Sequence, residues 1–314
     1  IIKASGAQRT TARANVTQTL LPWLKLTYKM SYSYRFEEKL QAALGGTSVS
    51  NAAIYLAPTI GPHDNFNPIY FDSGAYINTP LVLIEQSKYL ITRHSTTQTA
   101  ALEATPNKYL RFNTQFTYYF YERDSYIYNP STLPKKVEGE GGDAYRAHEG
   151  NRSFNFEVSG TYKRDWNKTH HMDAVAVYNG YMFDKNIMNV TGGGYMIDDN
   201  LWNNMGAVLD KDTYVVGTSA QTIKKMSFIG RLNYNFKSRY YITVNGRYDG
   251  SSNFAANRKW GFFPSVALKW NIYKEPWMKK YERKVDELSL RASIGRTGND
   301  AISPYYSQPA MSSS

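Results

Sequence analysis

The sequence has no cysteine, which removes disulfide frameworks and thiolate metal sites together. It has no run of about 18 apolar residues, so no membrane-spanning helix is expected. The opening Ile1-Ile2-Lys3-Ala4-Ser5-Gly6 offers neither an apolar core nor a cleavage pattern, and no signal peptide is read there. Histidine is scarce: the five present are scattered without a partner pattern. No Ser/His/Asp set, carboxylate pair or nucleophile elbow can be placed, so no catalytic, cofactor-binding or metal-ligating residues are expected and an enzyme is disfavoured. The net charge is +11, but no basic cluster carries interleaved stacking aromatics, so nucleic acid is not an expected partner.

Tyrosine is abundant, at 27 of 314 residues, and aromatics make up 15% of the chain. Mean hydropathy is low, at −0.54, yet the apolar residues follow a rhythm of two. Leu24, Leu26, Tyr28, Met30, Tyr32, Tyr34 and Phe36 fall on one side. Lys25, Thr27, Lys29, Ser31, Ser33 and Arg35 fall on the other. Only a strand separates these sets onto opposite faces. The pattern recurs at Phe154–Tyr162, Phe228–Phe236, Tyr240–Tyr248, Val266–Ile272 and Leu288–Ile294. It predicts ten strands, near 10–21, 24–36, 88–104, 109–127, 151–166, 170–183, 226–237, 240–250, 260–273 and 286–297.

Connection lengths alternate with strand parity. Pro22-Trp23, Thr105-Pro106-Asn107-Lys108, Asn167-Lys168-Thr169 and Lys237-Ser238-Arg239 are tight reversals. The segments 37–87, 128–150 and 184–225 read as long loops, and 251–259 as a shorter one. The intermediate 274–285 breaks the alternation, and Glu275-Pro276-Trp277-Met278 suits a helical turn there. Short turns at one end and long loops at the other are expected of an outer-membrane β-barrel. The apolar face would then meet lipid, the polar face a wet interior, and aromatics the two interfaces. A soluble β-sandwich alternates equally well, but its strands are usually shorter and its core favours Val, Ile and Leu over tyrosine. The predicted class is all-β, a transmembrane antiparallel barrel segment.

A family resemblance enters between Ser227 and Asp300. Gly230-Arg231-Leu232-Asn233-Tyr234, Arg247-Tyr248-Asp249-Gly250-Ser251-Ser252-Asn253-Phe254, Trp260-Gly261-Phe262-Phe263-Pro264-Ser265 and Leu290-Arg291-Ala292-Ser293-Ile294-Gly295-Arg296-Thr297-Gly298-Asn299 occur in that order. Together they resemble the barrel of SusC/RagA-type TonB-linked outer-membrane proteins of Bacteroidetes. The resemblance implies a meander of about 22 strands closed by an N-terminal plug. It implies a SusD-like surface lipoprotein as partner, TonB engaged through an N-terminal box, contact with outer-membrane lipid, and oligosaccharide or peptide as cargo. Neither plug, TonB box nor closing strand is found, and Met311-Ser312-Ser313-Ser314 would fall in an extracellular loop. Residues 1–314 are therefore expected to be one partial barrel domain.

Other features have plainer readings. His170-His171 would point to opposite faces of a strand and cannot easily chelate together. Gly139-Glu140-Gly141-Gly142-Asp143 and Gly192-Gly193-Gly194 read as flexible loops. Asp198-Asp199, with Asp210 and Asp212, read as a solvated loop in preference to a calcium site. Asp249-Gly250 reads as a turn in which Gly250 supplies an unusual φ. Candidate loop contacts to cargo are Tyr70, Phe71, Tyr76, Tyr126, Tyr128, Tyr195 and Trp202, because aromatic faces stack on sugar rings. A soluble β-rich ligand-binding module and a passive porin are the rival functions.

Overall fold

The computed structural model describes residues 5–40, 49, 53–54, 79–133, 141–208, 210–255 and 257–299. The strands are β1 (Gly6–Leu21), β2 (Leu24–Glu38), β3 (Lys88–Asn107), β4 (Leu110–Asn129), β5 (Gly142–Trp166), β6 (His170–Tyr195), β7 (Asp210–Phe236), β8 (Tyr240–Ser251), β9 (Trp260–Asn271) and β10 (Ser289–Gly295). All ten form one antiparallel sheet in chain order. The sheet is open, since β1 pairs with β2 and β10 with β9 at its two edges.

Register keeps the two faces distinct across the sheet, because a slip of one residue would invert every side chain. On one face Phe116 lies opposite Phe156, Tyr178 opposite Phe228, Phe228 opposite Tyr248, and Tyr248 opposite Phe262. Phe228, Phe262 and Leu268 remain 46%, 55% and 51% exposed. A sandwich would cover this face with a second sheet, and among the described residues every strand belongs to the one sheet.

Aromatics bracket the apolar band. Near the short turns Tyr240 stacks on Phe236 and Trp270, each at 6.4 Å between centroids. Farther up, Tyr248 stacks on Trp260 at 4.8 Å. On β8 the bracketed outer-face residues are Ile242, Val244 and Gly246. From Tyr240 to Tyr248 is roughly 26 Å along the strand, or about 20 Å in height at a tilt of about 40°. That is close to the ~25 Å lipid-facing band of such barrels.

The tight connections have the geometry their brevity demands. Thr169 N–H donates to Trp166 O at 3.1 Å and Arg239 N–H to Phe236 O at 3.0 Å. Asn167, Lys168, Lys237 and Ser238 all have positive φ, as both central positions of a type I′ turn require. Pro276 opens the 3-10 turn Pro276–Tyr281, where the sequence places a helical turn.

Four expectations are corrected. The loops 128–150 and 184–225 contract to 130–141 and 196–209, because β5, β6 and β7 run for 25, 26 and 27 residues. Alternation marks a strand only where one face is apolar, and a strand standing in water on both faces loses that signature. Parts of the glycine segments are accordingly strand: Gly142 and Asp143 open β5 and Gly192–Gly194 lie within β6, while Gly139 and Glu140 lie outside the described residues. Gly250 is absent from the positive-φ positions, and its role is close approach, since a Cβ there would lie 2.9 Å from Trp260. A short helix, α1 (Pro80–Gln86), lies inside the segment 37–87 read as loop. Its Thr79 N-cap accepts from Val82 N–H, and Pro80 occupies the first turn.

Candidate functional site

Two regions of the polar face and its outer end carry the chemistry. The first gathers the residues of the four ordered motifs. A concavity of about 840 Å³ on the polar face of β7–β10 is lined by Arg231, Arg247, Asp249, Phe254, Phe263, Ser265, Arg296 and Gly298, among others. Cross-strand pairing makes this convergence: Arg231 lies opposite Asn245, and Asn245 opposite Ser265. Arg231 Nε donates to Asn245 Oδ1 at 2.7 Å, and Asn245 Nδ2 to Ser265 Oγ at 3.0 Å. Arg247 Nε pairs with Asp249 Oδ2 at 2.5 Å. Segment 296–299 lies against the Phe263 ring so closely that a Cβ on Gly298 would sit 2.3 Å from it. The motifs therefore record polar rungs and close glycine–aromatic contacts that fix the wall.

The second region lies at the outer end of β4–β6 and unites four of the seven candidate cargo contacts. Tyr126 stacks on Trp202 at 5.4 Å, and Arg146 lies over the Tyr126 ring at 5.5 Å. Tyr128 meets Tyr195 edge-on at 6.3 Å. Tyr126 and Tyr128 belong to β4 and Tyr195 to β6, so these three are strand-end residues, not loop-tip residues. Tyr128 and Tyr195 are buried, with Ala144 and Val208, in a small core. They hold the end of the wall together, while half-buried Tyr126 and Trp202 retain open ring surface. Tyr70, Phe71 and Tyr76 lie outside the described residues.

Asp198, expected to be solvated, is the fastener of this cluster. Its Oδ1 accepts from Tyr128 Oη at 2.7 Å and from Ser131 N–H at 2.9 Å, and its Oδ2 from Ser131 Oγ at 2.7 Å. The 196–209 connection is thereby tied to the 130–141 connection. Burial, then the hydrogen bond to Asp198 and its charge, push the Tyr128 phenol well above the ordinary tyrosine range. Burial likewise raises Tyr195. Two adjacent aspartates gave no sign of this role, which depends on a serine 67 positions away.

His170 and His171 do part to opposite faces. His170 Nδ1 meets Tyr234 Oη at 2.6 Å on the aromatic side, and His171 Nδ1 meets Asp165 Oδ1 at 2.6 Å. Among the described residues no three His, Cys, Asp or Glu side chains gather to hold a metal.

The chain matches the family described as TonB dependent receptor-like, beta-barrel over residues 34–313. It is 27% identical over 306 residues to TonB-dependent receptor P26 of Formosa agariphila, covering 97% of this chain and 30% of that receptor. It is 43% identical over 77 residues to TonB-dependent receptor SusC of Bacteroides thetaiotaomicron, covering 24% of this chain and 8% of SusC. Among solved structures it is similar to the RagAB peptide transporter, with a TM-score of 0.75 at 18% identity. That superposition covers 95% of this chain and 34% of the transporter chain, and likeness at such identity speaks to fold. The chain spans about a third of the length of these relatives, or less.

Proposed function

Because the chain belongs to the TonB dependent receptor-like β-barrel family, we propose that it forms part of the wall of a bacterial outer-membrane importer driven through TonB. Residues 1–314 act as one partial barrel domain, and the rest of a longer protein supplies the plug and the strands that close the wall. The two open edges of the sheet support this, since unpaired backbone is not tolerated against lipid. The cargo is an oligosaccharide or a peptide, the second of which the RagAB peptide transporter carries in its name. A SusD-like lipoprotein would dock on the long-loop end, and Tyr126 and Trp202 would contact cargo there.

The observation that carries the reading is the single uncovered sheet, apolar on one face, polar and basic on the other, with its short turns at one end. The test is fractionation and uptake with the full-length gene. The protein should sit in the outer membrane, need detergent for extraction, co-purify with a surface lipoprotein, and lose uptake when TonB is deleted. Recovery in buffer without detergent would establish the soluble binding module instead. Uptake undiminished without TonB would establish a passive porin.

A further inference from the structure

One row of the polar face is arranged against its own electrostatics. Arg9 lies directly opposite Arg35, Arg35 opposite Arg93, and Arg93 opposite Arg123, on four successive strands. At the spacing of neighbouring strands the row spans roughly 14 Å, and like charges directly opposite destabilise a sheet. Two carboxylates offset the row in part. Glu37, with its side chain 4% exposed, pairs with both Arg35 and Arg93, and Lys39 Nζ lies 3.5 Å from it. Glu149, opposite Arg123, is already engaged by Lys185 at 2.8 Å. Among the described residues six cations thus face two carboxylates. Among the described residues Arg9 donates only to the neutral Ser33 hydroxyl, at 3.0 Å. Arg123 Nε is buried without a hydrogen-bond partner among the described residues.

The surface beside the row is flat-ringed and hydroxylated. On the same face, Ser33 lies opposite Ser95 and Ser95 opposite Tyr121, while Ser31 lies opposite Thr97 and Thr97 opposite Tyr119. Both tyrosines are half-buried, with ring surface left open. The height is also informative. Arg123 is 13 residues beyond Leu110, the first residue of β4, which is roughly 33 Å above the turn at the same tilt. That exceeds the apolar band and sets the row at the outer mouth.

We propose that Arg9, Arg35, Arg93 and Arg123, with Tyr119 and Tyr121, form the site that receives an acidic oligosaccharide at the mouth of the barrel. Guanidinium forks match the carboxylate or sulfate groups of such a chain bidentately. The tyrosine rings and the serine and threonine hydroxyls suit its sugar rings, and an acidic peptide would not need them. The inference rests on the import reading for the direction of entry.

The test is calorimetric titration of the purified full-length receptor with a short oligogalacturonate, the matching neutral oligosaccharide and a polyglutamate peptide of similar length. The acidic sugar should bind best and weaken with salt. Arg9→Gln and Arg123→Gln should each weaken it about tenfold, whereas Arg111→Gln, an equal loss of charge at the short-turn end of β4, should leave it unchanged. Glu37→Gln should tighten binding several-fold, a gain that misfolding cannot produce. Equal binding of the neutral sugar, or no change in the arginine variants, would overturn the site. Tighter binding of polyglutamate would overturn the sugar class. These readings are independent of the TonB-deletion result, so failure of the site and failure of the import reading are told apart.

Discussion

Removing the Asp198 carboxylate should unfasten the outer end of the wall without disturbing the membrane-spanning part. The bonds from Tyr128 and Ser131 end on this side chain, but they are not equal. The two from Ser131 are exposed, so water replaces them at about 0.5 kcal/mol each. Tyr128 is only 1% exposed, and its hydroxyl would be left buried and unpaired at about 2 kcal/mol. The total, about 3 kcal/mol, corresponds to roughly a hundredfold change in the local opening equilibrium. Asp198→Ala in the full-length receptor should therefore accelerate amide exchange about a hundredfold in peptides covering 126–133 and 193–205, measured by mass spectrometry in detergent. Asp198→Asn keeps one acceptor oxygen and should accelerate it about tenfold. Exchange in 240–250 should not move, because β8 is held by its pairing with 225–236 of β7 and with β9. Acceleration under threefold in the alanine variant would refute the fastener, and equal acceleration in 240–250 would show global destabilisation in its place.

Three further outcomes are expected. Val244→Arg places a charge midway between Tyr240 and Tyr248 on the apolar face and should cost about 2–4 kcal/mol in folding into liposomes. Asn245→Arg on the opposite face should cost far less, and equal costs would invert the assignment of faces. Gly298→Ala should drive a methyl group into the Phe263 ring and lower the melting temperature by an overpacking cost of about 1–3 kcal/mol. Burial opposes ionisation of Glu37, yet the charges of Arg93, Arg35 and Lys39 hold its carboxyl below the ordinary value of 4.5. Its stabilisation is thus complete above that value and is lost as pH falls through the lower folded one. Melting curves against pH should show this loss in the parent and not in Glu37→Gln. For Tyr128 the sign is opposite. Its raised phenol keeps the Asp198 bond intact below pH 10.0, and the bond fails as pH climbs through the higher folded value. Protection of 126–133, taken relative to the hydroxide-catalysed intrinsic rate, should fall only above that pH.

The legible parts of the sequence were those where the two faces of a strand meet different media. Alternation, helped at the third and sixth strands by the tight reversals beside them, located ten strands because lipid demands Leu26, Tyr28 and Met30 on one side, and water permits Lys25, Thr27 and Lys29 on the other. It failed at 142–150, 184–195 and 210–225, which are strand by backbone pairing but lack an apolar face. The helix α1 was announced only by Thr79-Pro80, an N-cap followed by a first-turn proline, and that signal is weak within a long polar segment. The aromatic cluster was half legible. Tyrosine and tryptophan content selected Tyr126, Tyr128, Tyr195 and Trp202, but only pairing across β4, β5 and β6 separates buried Tyr128 and Tyr195 from the more open Tyr126 and Trp202.

The arginine row was invisible in sequence for a reason that also argues for its purpose. Arg9, Arg35, Arg93 and Arg123 are dispersed along the chain, and nothing local marks them. Register alone aligns them, and register here is enforced by the apolar face below, where slippage of β2 by one residue would place Lys25, Thr27 and Lys29 in lipid. The hydrophobic demand of the membrane below thus fixes the electrostatic pattern above it. A fold indifferent to charge at the mouth could relieve the repulsion by a neutral residue at any of the four positions, since each lies outside the apolar band and its neighbours Ser33, Ser95 and Tyr121 are neutral. Keeping four cations in one row, with Glu37 bridging only the central pair, leaves Arg9 and Arg123 at either end for an anion from outside. Glu37→Gln is the sharpest probe of this reasoning. If Glu37 serves only to neutralise repulsion, its loss should destabilise the outer end and leave oligogalacturonate affinity unchanged. If it competes with an incoming anion, stability should fall while affinity rises.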